Sequence, residues 1–275
     1  MIEIWTEELP PSWHWKPDKY LGGTPETIVN LAETLNDDVC VYYDGPSCSH
    51  NGIYYLQRKD YLAKDILIAC NSIPEKLAEY NICTTTWFHA RQTNYMNFDE
   101  RIVLSPYHQS LFGPDSRIIP LSCKKDQFTD TMKIKGQCLF SSSYDRGGAF
   151  LEEIWPEVEY ETGAQLIITY SKDISEEEMV DLYNSSQFWL HPGEGIELFC
   201  ISALKAQAAQ CIPVVVPNMA LETTVRYGIK TTKEAYKEEL IKAIKNPPVA
   251  ESISFPSWKE VAGMYLANIG VTHGA

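Results

Sequence analysis

Nowhere in its 275 residues does this chain carry an apolar run approaching the roughly 18 residues that a membrane span needs. The opening MIEIWTEELPP also lacks the basic start and long apolar stretch of a secretory leader. A chain that neither spans a membrane nor carries a visible export signal is expected in the cytoplasm. Paired cysteines are missing too. The eight cysteines stand singly at 40, 48, 70, 83, 123, 138, 200 and 211, with no Cys-x-x-Cys among them, which argues against a zinc ribbon or a disulfide framework. Cys40, Cys70 and Cys200 sit inside apolar runs and read as buried thiols of a reducing compartment. Metal-binding carboxylate pairs are equally scarce: no Asp-x-Asp occurs in a suitable loop, and Asp37-Asp38 reads as a solvated turn before a strand.

Positive charge is the remaining shortage. Lys and Arg number 23 against 37 Asp and Glu, a formal net charge of −14. The deficit runs through both halves, with 11 basic against 16 acidic residues over 1–125 and 12 against 21 over the remainder. Such a surface repels phosphate backbones and anionic headgroups, so nucleic acid and a bare membrane surface are poor partners. At 44% hydrophobic and 22% charged, the composition is that of an ordinary globular chain. Its length suits two domains of roughly 100–150 residues each.

The most organised stretch is residues 188–218, FWLHPGEGIELFCISALKAQAAQCIPVVVPN. It reads as strand, glycine loop, helix, strand. The apolar Phe188 to Leu190 is broken by Pro192, Gly193 and Gly195, and an alanine-rich helix is expected from Glu197 to Gln210. Ile212 to Val216 is apolar throughout, as befits a strand covered on both faces. Glycines before a helix let a ligand approach backbone N–H groups at its positive end, a place for phosphate; the same glycines can serve only a tight turn.

Upstream, short β-prone runs recur at Ile2 to Trp5, Val39 to Tyr43, Ile66 to Cys70, Thr84 to Phe88, Ile102 to Leu104 and Ile118 to Leu121. Helix-like segments alternate with them, a Rossmann-like order. Thr24-Pro25-Glu26 and Ser72-x-x-Glu75 mark helix starts. Gly22-Gly23 would let backbone run close to a ligand at the first long helix. His89 closes the run TTTWFH, at a strand's carboxyl end; a ligand-facing role and a backbone-satisfied histidine both fit. A polar stretch at 122–135 marks the change of domain, and Gln137 to Ser143 begins the second. There Asp145-Arg146-Gly147-Gly148 enters a helix, and Arg146 either adds fixed positive charge for a diphosphate or pairs with Asp145 at the surface. Ala164 to Tyr170 reads as a strand, Ser175-x-x-Glu178 and Ser257-x-x-Glu260 as capping boxes, and Leu221 to Tyr227 and Glu234 to Lys245 as helices.

Residues 188–217 resemble the donor-binding core of the retaining, family 4 type glycosyltransferases of GT-B architecture. Their signature is a Glu, seven residues and a second Glu within a Pro-rich loop, helix and Pro-Val-Val strand. Glu197 holds the first position, and ELFCISALKAQAAQCIPVVV follows the pattern closely. The second position is Lys205, and Gln210 replaces the usual glycine. On the expected helix, eight residues advance about 12 Å and a little over two turns, placing 197 and 205 near one side. Looser matches are GGTPETIVNLAETL, the histidine at 89, RIVLSPYHQSLFGPDSRIIPLS, the Asp145-Arg146-Gly147 passage and the terminal SWKEVA.

The resemblance implies an α/β fold of two Rossmann-like domains with a cleft between them, over 1–125 on the acceptor side and 126–250 on the donor side. A terminal segment, 251–275, would carry a helix back to the first domain. It implies metal-independent transfer of a sugar, with retention, from a UDP- or GDP-type nucleotide sugar to a hydroxyl on a glycan, lipid-linked or small-molecule acceptor. No cofactor is implied. His89 and Glu197 would be the catalytic pair, and Gly22, Gly23, Arg146, Gly147, Gly193, Glu194, Gly195, Ile196 and Lys205 would bind substrate. In the family the second Glu accepts hydrogen bonds from ribose, whereas lysine has donors only. Two alternatives therefore stand beside active transfer: a degenerate protein that binds a nucleotide sugar without transferring it, and a sugar-nucleotide epimerase on the same scaffold.

Overall fold

The computed structural model describes residues 2–7, 9, 23–35, 39–61, 65–70, 78–84, 98–129, 132–170 and 174–267. They form two compact units. One takes the described residues up to Ser122 together with those from Pro256 on; the other is Cys123–Phe255. Among the described residues no helix is long and apolar enough to cross a membrane.

The first unit is built on β1 (Ile2–Trp5), β2 (Val39–Tyr43), β3 (Cys48–His50), β4 (Ile53–Gln57), β5 (Ile66–Cys70), β6 (Tyr80–Thr84), β7 (Glu100–Val103) and β8 (Arg117–Ile118). Their order is β3-β4-β2-β1-β5-β6-β7-β8. All pairings are parallel except the β3–β4 hairpin. That hairpin was not anticipated, although its Asn51-Gly52 turn, with φ of 49° and 82°, is a strong hairpin signal. β6 begins at Tyr80, ahead of the run expected at Thr84 to Phe88, whose residues 85–88 lie outside the described set. Its buried Asn81 hid it from an apolar-run reading. The side chain is satisfied locally, accepting from the Ala78 N–H at 3.1 Å and donating to the Ala78 carbonyl at 2.8 Å.

α1 (Gly23–Leu35) begins at Gly23, so Thr24 lies inside it rather than capping it. α2 (Pro106–Phe112) is capped by Ser105, which accepts from the His108 N–H. The C-terminal helix, Trp258–Leu266, starts on the Ser257/Glu260 capping box and belongs to this unit. Thr84 donates to the buried Tyr265 hydroxyl at 3.0 Å, and Arg117 donates to the Met264 carbonyl.

The second unit holds β9 (Ile134–Phe140), β10 (Gln165–Ile168), β11 (Ser186–His191), β12 (Ile212–Val215) and β13 (Ile229–Lys230), all parallel in the order β10-β9-β11-β12-β13. The connecting helices are α3 (Gly148–Thr162), α4 (Glu176–Ser185), α5 (Ile201–Ala208), α6 (Leu221–Thr224) and α7 (Tyr236–Lys245). Phe140, Leu151, Phe188, Leu190, Val214, Tyr236 and Leu240 form the core. Each large apolar side chain there is worth about 1.5–3 kcal/mol. β9 sits between β10 and β11, so the chain leaves it first to one side and then crosses to the other. At such a switch point a crevice opens at the carboxyl ends of the two strands. Phe140 and His191 end β9 and β11 at that point.

One expectation fails here in a way that matters. The helix predicted from Glu197 begins only at Ile201, because Cys200 has φ of 69° and a left-handed residue cannot continue a right-handed helix. Glu197 therefore lies in the loop, five residues separate Gly195 from α5, and helical phase does not relate 197 to 205.

Candidate functional site

After β9 the chain makes a short 3-10 turn, Tyr144–Arg146, and Gly147 at φ 117° then admits it to α3. After β11 it runs through Pro192, Gly193 and Gly195 to Glu197. The two segments interlock. A Cβ on Gly147 would lie 2.8 Å from Pro192, and one on Gly195 would lie 2.8 Å from the Arg146 side chain. With hydrogen in both places, Arg146 can lie across the loop and reach Glu197, its Nη1 donating to Oε2 at 3.1 Å. Asp145, the alternative partner, is not the one chosen. The pair is partly exposed, with 25% and 16% of the side chains accessible.

The loop after β12 braces this arrangement. Asn218 donates to the Gly193 carbonyl, Glu197 N–H reaches the Met219 sulfur at 3.4 Å, and Ala220 N–H donates to the Glu197 carbonyl at 3.2 Å. Glu194 is ion-paired with Lys233, whose ammonium lies 5.1 Å from the Phe150 ring centre.

Beneath Glu197 lies His191, fully buried, which sequence reasoning passed over. Its signal was present, since it stands at the carboxyl end of a central strand as His89 was expected to. His191 Nδ1 accepts the Gly193 N–H at 3.1 Å. A neutral ring that accepts at Nδ1 carries its proton on Nε2. Among the described residues that Nε2–H has no hydrogen-bond partner, and it lies 3.9 Å from Glu197 Oε2. Burial, and then the nearby Arg146 charge, push His191 down to about 3, so the ring is neutral at ordinary pH. Cys200 completes the floor. Burial first, then the Glu197 carboxylate, raise its thiol well above the ordinary value, and the protonated thiol donates to Glu197.

His191, Glu197 and Cys200 bring donor atoms within 4.8 Å of one another, the spacing of a metal-ligand set. The chemistry does not fit a metal. Zinc on Nε2 would require the ring proton on Nδ1, where the Gly193 N–H already points, and the ion would sit beside the Arg146 guanidinium. The cluster reads instead as one carboxylate surrounded by donors.

Of the residues singled out by sequence, Arg146, Gly147, Gly193, Gly195 and Glu197 converge here, flanked by Glu194 and Ile196. Lys205 lies on α5 and is 2% exposed. Gly23 opens α1 in the first unit. Gly22 and His89 lie outside the described residues. A groove of about 580 Å³ beside β10, lined by Tyr144, Trp155, Glu159 and Tyr170 among others, holds none of these residues.

No family model matches the chain, and no curated protein matches it. Solved structures do. The chain is similar to sucrose-phosphate synthase (tll1590) from Thermosynechococcus elongatus at a TM-score of 0.70 and 13% identity, covering 100% of this chain and 99% of that one. A glycosyltransferase from Rickettsia africae ESF-5 gives 0.63 and 10%, covering 100% and 99%. Anabaena Alr3699/HepE, solved with UDP and glucose, gives 0.62 and 9%, covering 99% and 98%. The fold is therefore the mixed α/β, parallel-sheet fold of the GT-B glycosyltransferases, over the whole chain.

Proposed function

We propose that the chain is a glycosyltransferase that moves a sugar from a nucleoside diphosphate sugar, of UDP or GDP type, to an acceptor hydroxyl, with retention and without a metal. The observation that carries this reading is the convergence of Arg146 and Glu197 at the carboxyl ends of β9 and β11, where glycines without a Cβ let the guanidinium lie across the loop. A guanidinium beside backbone N–H groups suits the charge that grows on a departing diphosphate. A carboxylate held by donors suits sugar hydroxyls, which it accepts from. The anomeric C–O bond to phosphate breaks, the bond to the acceptor oxygen forms on the same face, and the departing phosphate takes the acceptor proton. The likeness of residues 188–217 to the family 4 signature and the UDP complex of the HepE neighbour both favour this donor class.

Lys205, buried and able only to donate, leaves the ribose contact of this chain different from the Glu of the signature. That difference favours a second reading, a protein that binds the nucleotide sugar without transferring it. Calorimetry with UDP, GDP and ADP, followed by a hydrolysis screen over nucleotide sugars, separates the two. Binding with turnover supports the transferase, binding without turnover supports the second reading, and no binding of any nucleotide overturns both.

A further inference from the structure

Glu197 has two basic neighbours and uses one. Arg146 holds its Oε2 at 3.1 Å, while the Nε2–H of His191 waits at 3.9 Å from the same oxygen with no hydrogen-bond partner among the described residues. A buried donor left unpaired is destabilising, so its place beneath a partly exposed carboxylate calls for a purpose. The ring cannot turn to relieve it. Nδ1 is fixed by the Gly193 N–H at 3.1 Å, the imidazole lies 5.5 Å from the buried Trp189 ring, and Trp189 in turn donates to Ser141 at 3.0 Å. Whatever satisfies Nε2 must come to it.

We propose that Glu197 is handed from Arg146 to His191 when a diphosphate binds, and that His191 is the residue that positions this carboxylate in the loaded site. The inference rests on the reading of the crevice as a nucleotide-sugar site. In the free protein the Arg146–Glu197 ion pair acts as a latch. An incoming diphosphate carries more negative charge than one carboxylate and draws the guanidinium away. Glu197 is then short of a charged partner, and a movement of about 1 Å closes the gap to the His191 N–H to ordinary hydrogen-bond length. The carboxylate so held keeps its remaining lone pairs toward the sugar. Both ring nitrogens are needed: Nδ1 anchors the glycine loop and Nε2 receives the carboxylate.

Two side chains divide those duties. Asparagine carries an acceptor near the place of Nδ1 and nothing near Nε2; glutamine carries an amide N–H near Nε2 and gives up the acceptor. In His191→Asn, UDP binding should stay within about twofold of the parent while kcat with the accepted donor falls about tenfold to a hundredfold, the scale of one hydrogen bond to a charged group. His191→Gln keeps the Nε2 donor and loses the loop anchor, so its kcat should fall clearly less than that of His191→Asn. If the two variants lose kcat equally, or if His191→Asn loses none, the proposal is overturned.

A second measurement needs no turnover. In protein labelled with ¹⁵N in its histidine rings, the His191 Nε2–H proton should move downfield when UDP is added, and should move likewise without nucleotide in Arg146→Gln, where the latch is removed. No movement in Arg146→Gln overturns the exchange outright. Movement in Arg146→Gln with none on UDP addition supports the exchange and sinks the nucleotide reading instead.

Discussion

His108 in the first unit and His191 in the second are made alike and situated differently. Each is fully buried. Each accepts a backbone N–H at Nδ1, from Leu104 at 3.2 Å and from Gly193 at 3.1 Å, and each leaves Nε2 without a hydrogen-bond partner among the described residues. The ring of His108 meets Phe112 edge-on at 5.0 Å, and burial alone pushes it down to about 4. The ring of His191 meets a carboxylate and a guanidinium, and the guanidinium charge adds to burial in pushing it down to about 3. The same local device, a histidine fixed by a backbone donor, is therefore part of the packing in one unit and part of a polar constellation in the other. Neighbouring charge makes the difference, and neither sequence spacing nor burial alone reveals it.

The largest expected effect comes from removing that charge. Arg146→Ala should lower kcat by about 10²–10³, the usual cost of losing one preorganised electrostatic contact to the transition state. It should also raise the His191 pKa toward that of His108, which titration of the labelled rings by NMR reads directly. A wild-type rate with every accepted donor would reduce Arg146 to a surface ion-pair partner.

Gly195→Ala sharpens the comparison from the backbone side. At φ 68° the new side chain is strained by about 1–2 kcal/mol, and its Cβ would press on the Arg146 side chain from 2.8 Å. The variant should fold with a lowered melting temperature and lose up to about a hundredfold in kcat through misplacement of the guanidinium. Unchanged turnover would show that Arg146 adapts freely.

His108→Phe removes the comparison's control. Both histidines are neutral in the folded chain and gain a proton on unfolding below their ordinary value of 6.5. Because the folded values are depressed, the stability involved is intact above about pH 6.5 and is lost as pH falls, down to about 4 for His108 and about 3 for His191. Between pH 7 and 5.5 each histidine should account for about 1 kcal/mol of lost stability. Urea unfolding of His108→Phe at both pH values should show that loss shrink by about this amount, with kcat untouched. An unchanged pH dependence would mean that His108 takes up a proton in the fold as readily as in the unfolded chain.

The smallest effect is expected at exposed charges outside both constellations. Lys237 pairs with Glu157 at 2.6 Å and Lys245 with Glu161 at 2.5 Å, between α7 and α3. Alanine at either lysine should leave stability nearly unchanged, because solvent screens the pair and ordering the side chains opposes it. A larger loss in chemical denaturation would show that these pairs anchor α7.

Much of this molecule is legible in its residues, and for stated reasons. Ile212 to Val215 announces a doubly covered strand because every position is apolar, Ser175-x-x-Glu178 announces a helix start because its donors and acceptors are reciprocal, and Pro192, Gly193 and Gly195 announce a loop after the strand. Those signals are local, and local physics decides them. Arg146, Gly147, Gly193, Gly195 and Glu197 are also among the candidates in the sequence, singled out by likeness to the glycosyltransferase signature rather than by residue type alone. Only the tertiary structure decides that Arg146 turns to Glu197, 51 residues away, rather than to its neighbour Asp145. Only the tertiary structure takes Glu197 out of the helix through the left-handed Cys200 and sets His191 beneath it with a proton to give. A run of residue types records which groups a chain can offer; β9 and β11 lie side by side only through the register of the sheet, and that register brings a guanidinium, a carboxylate and an imidazole to one point.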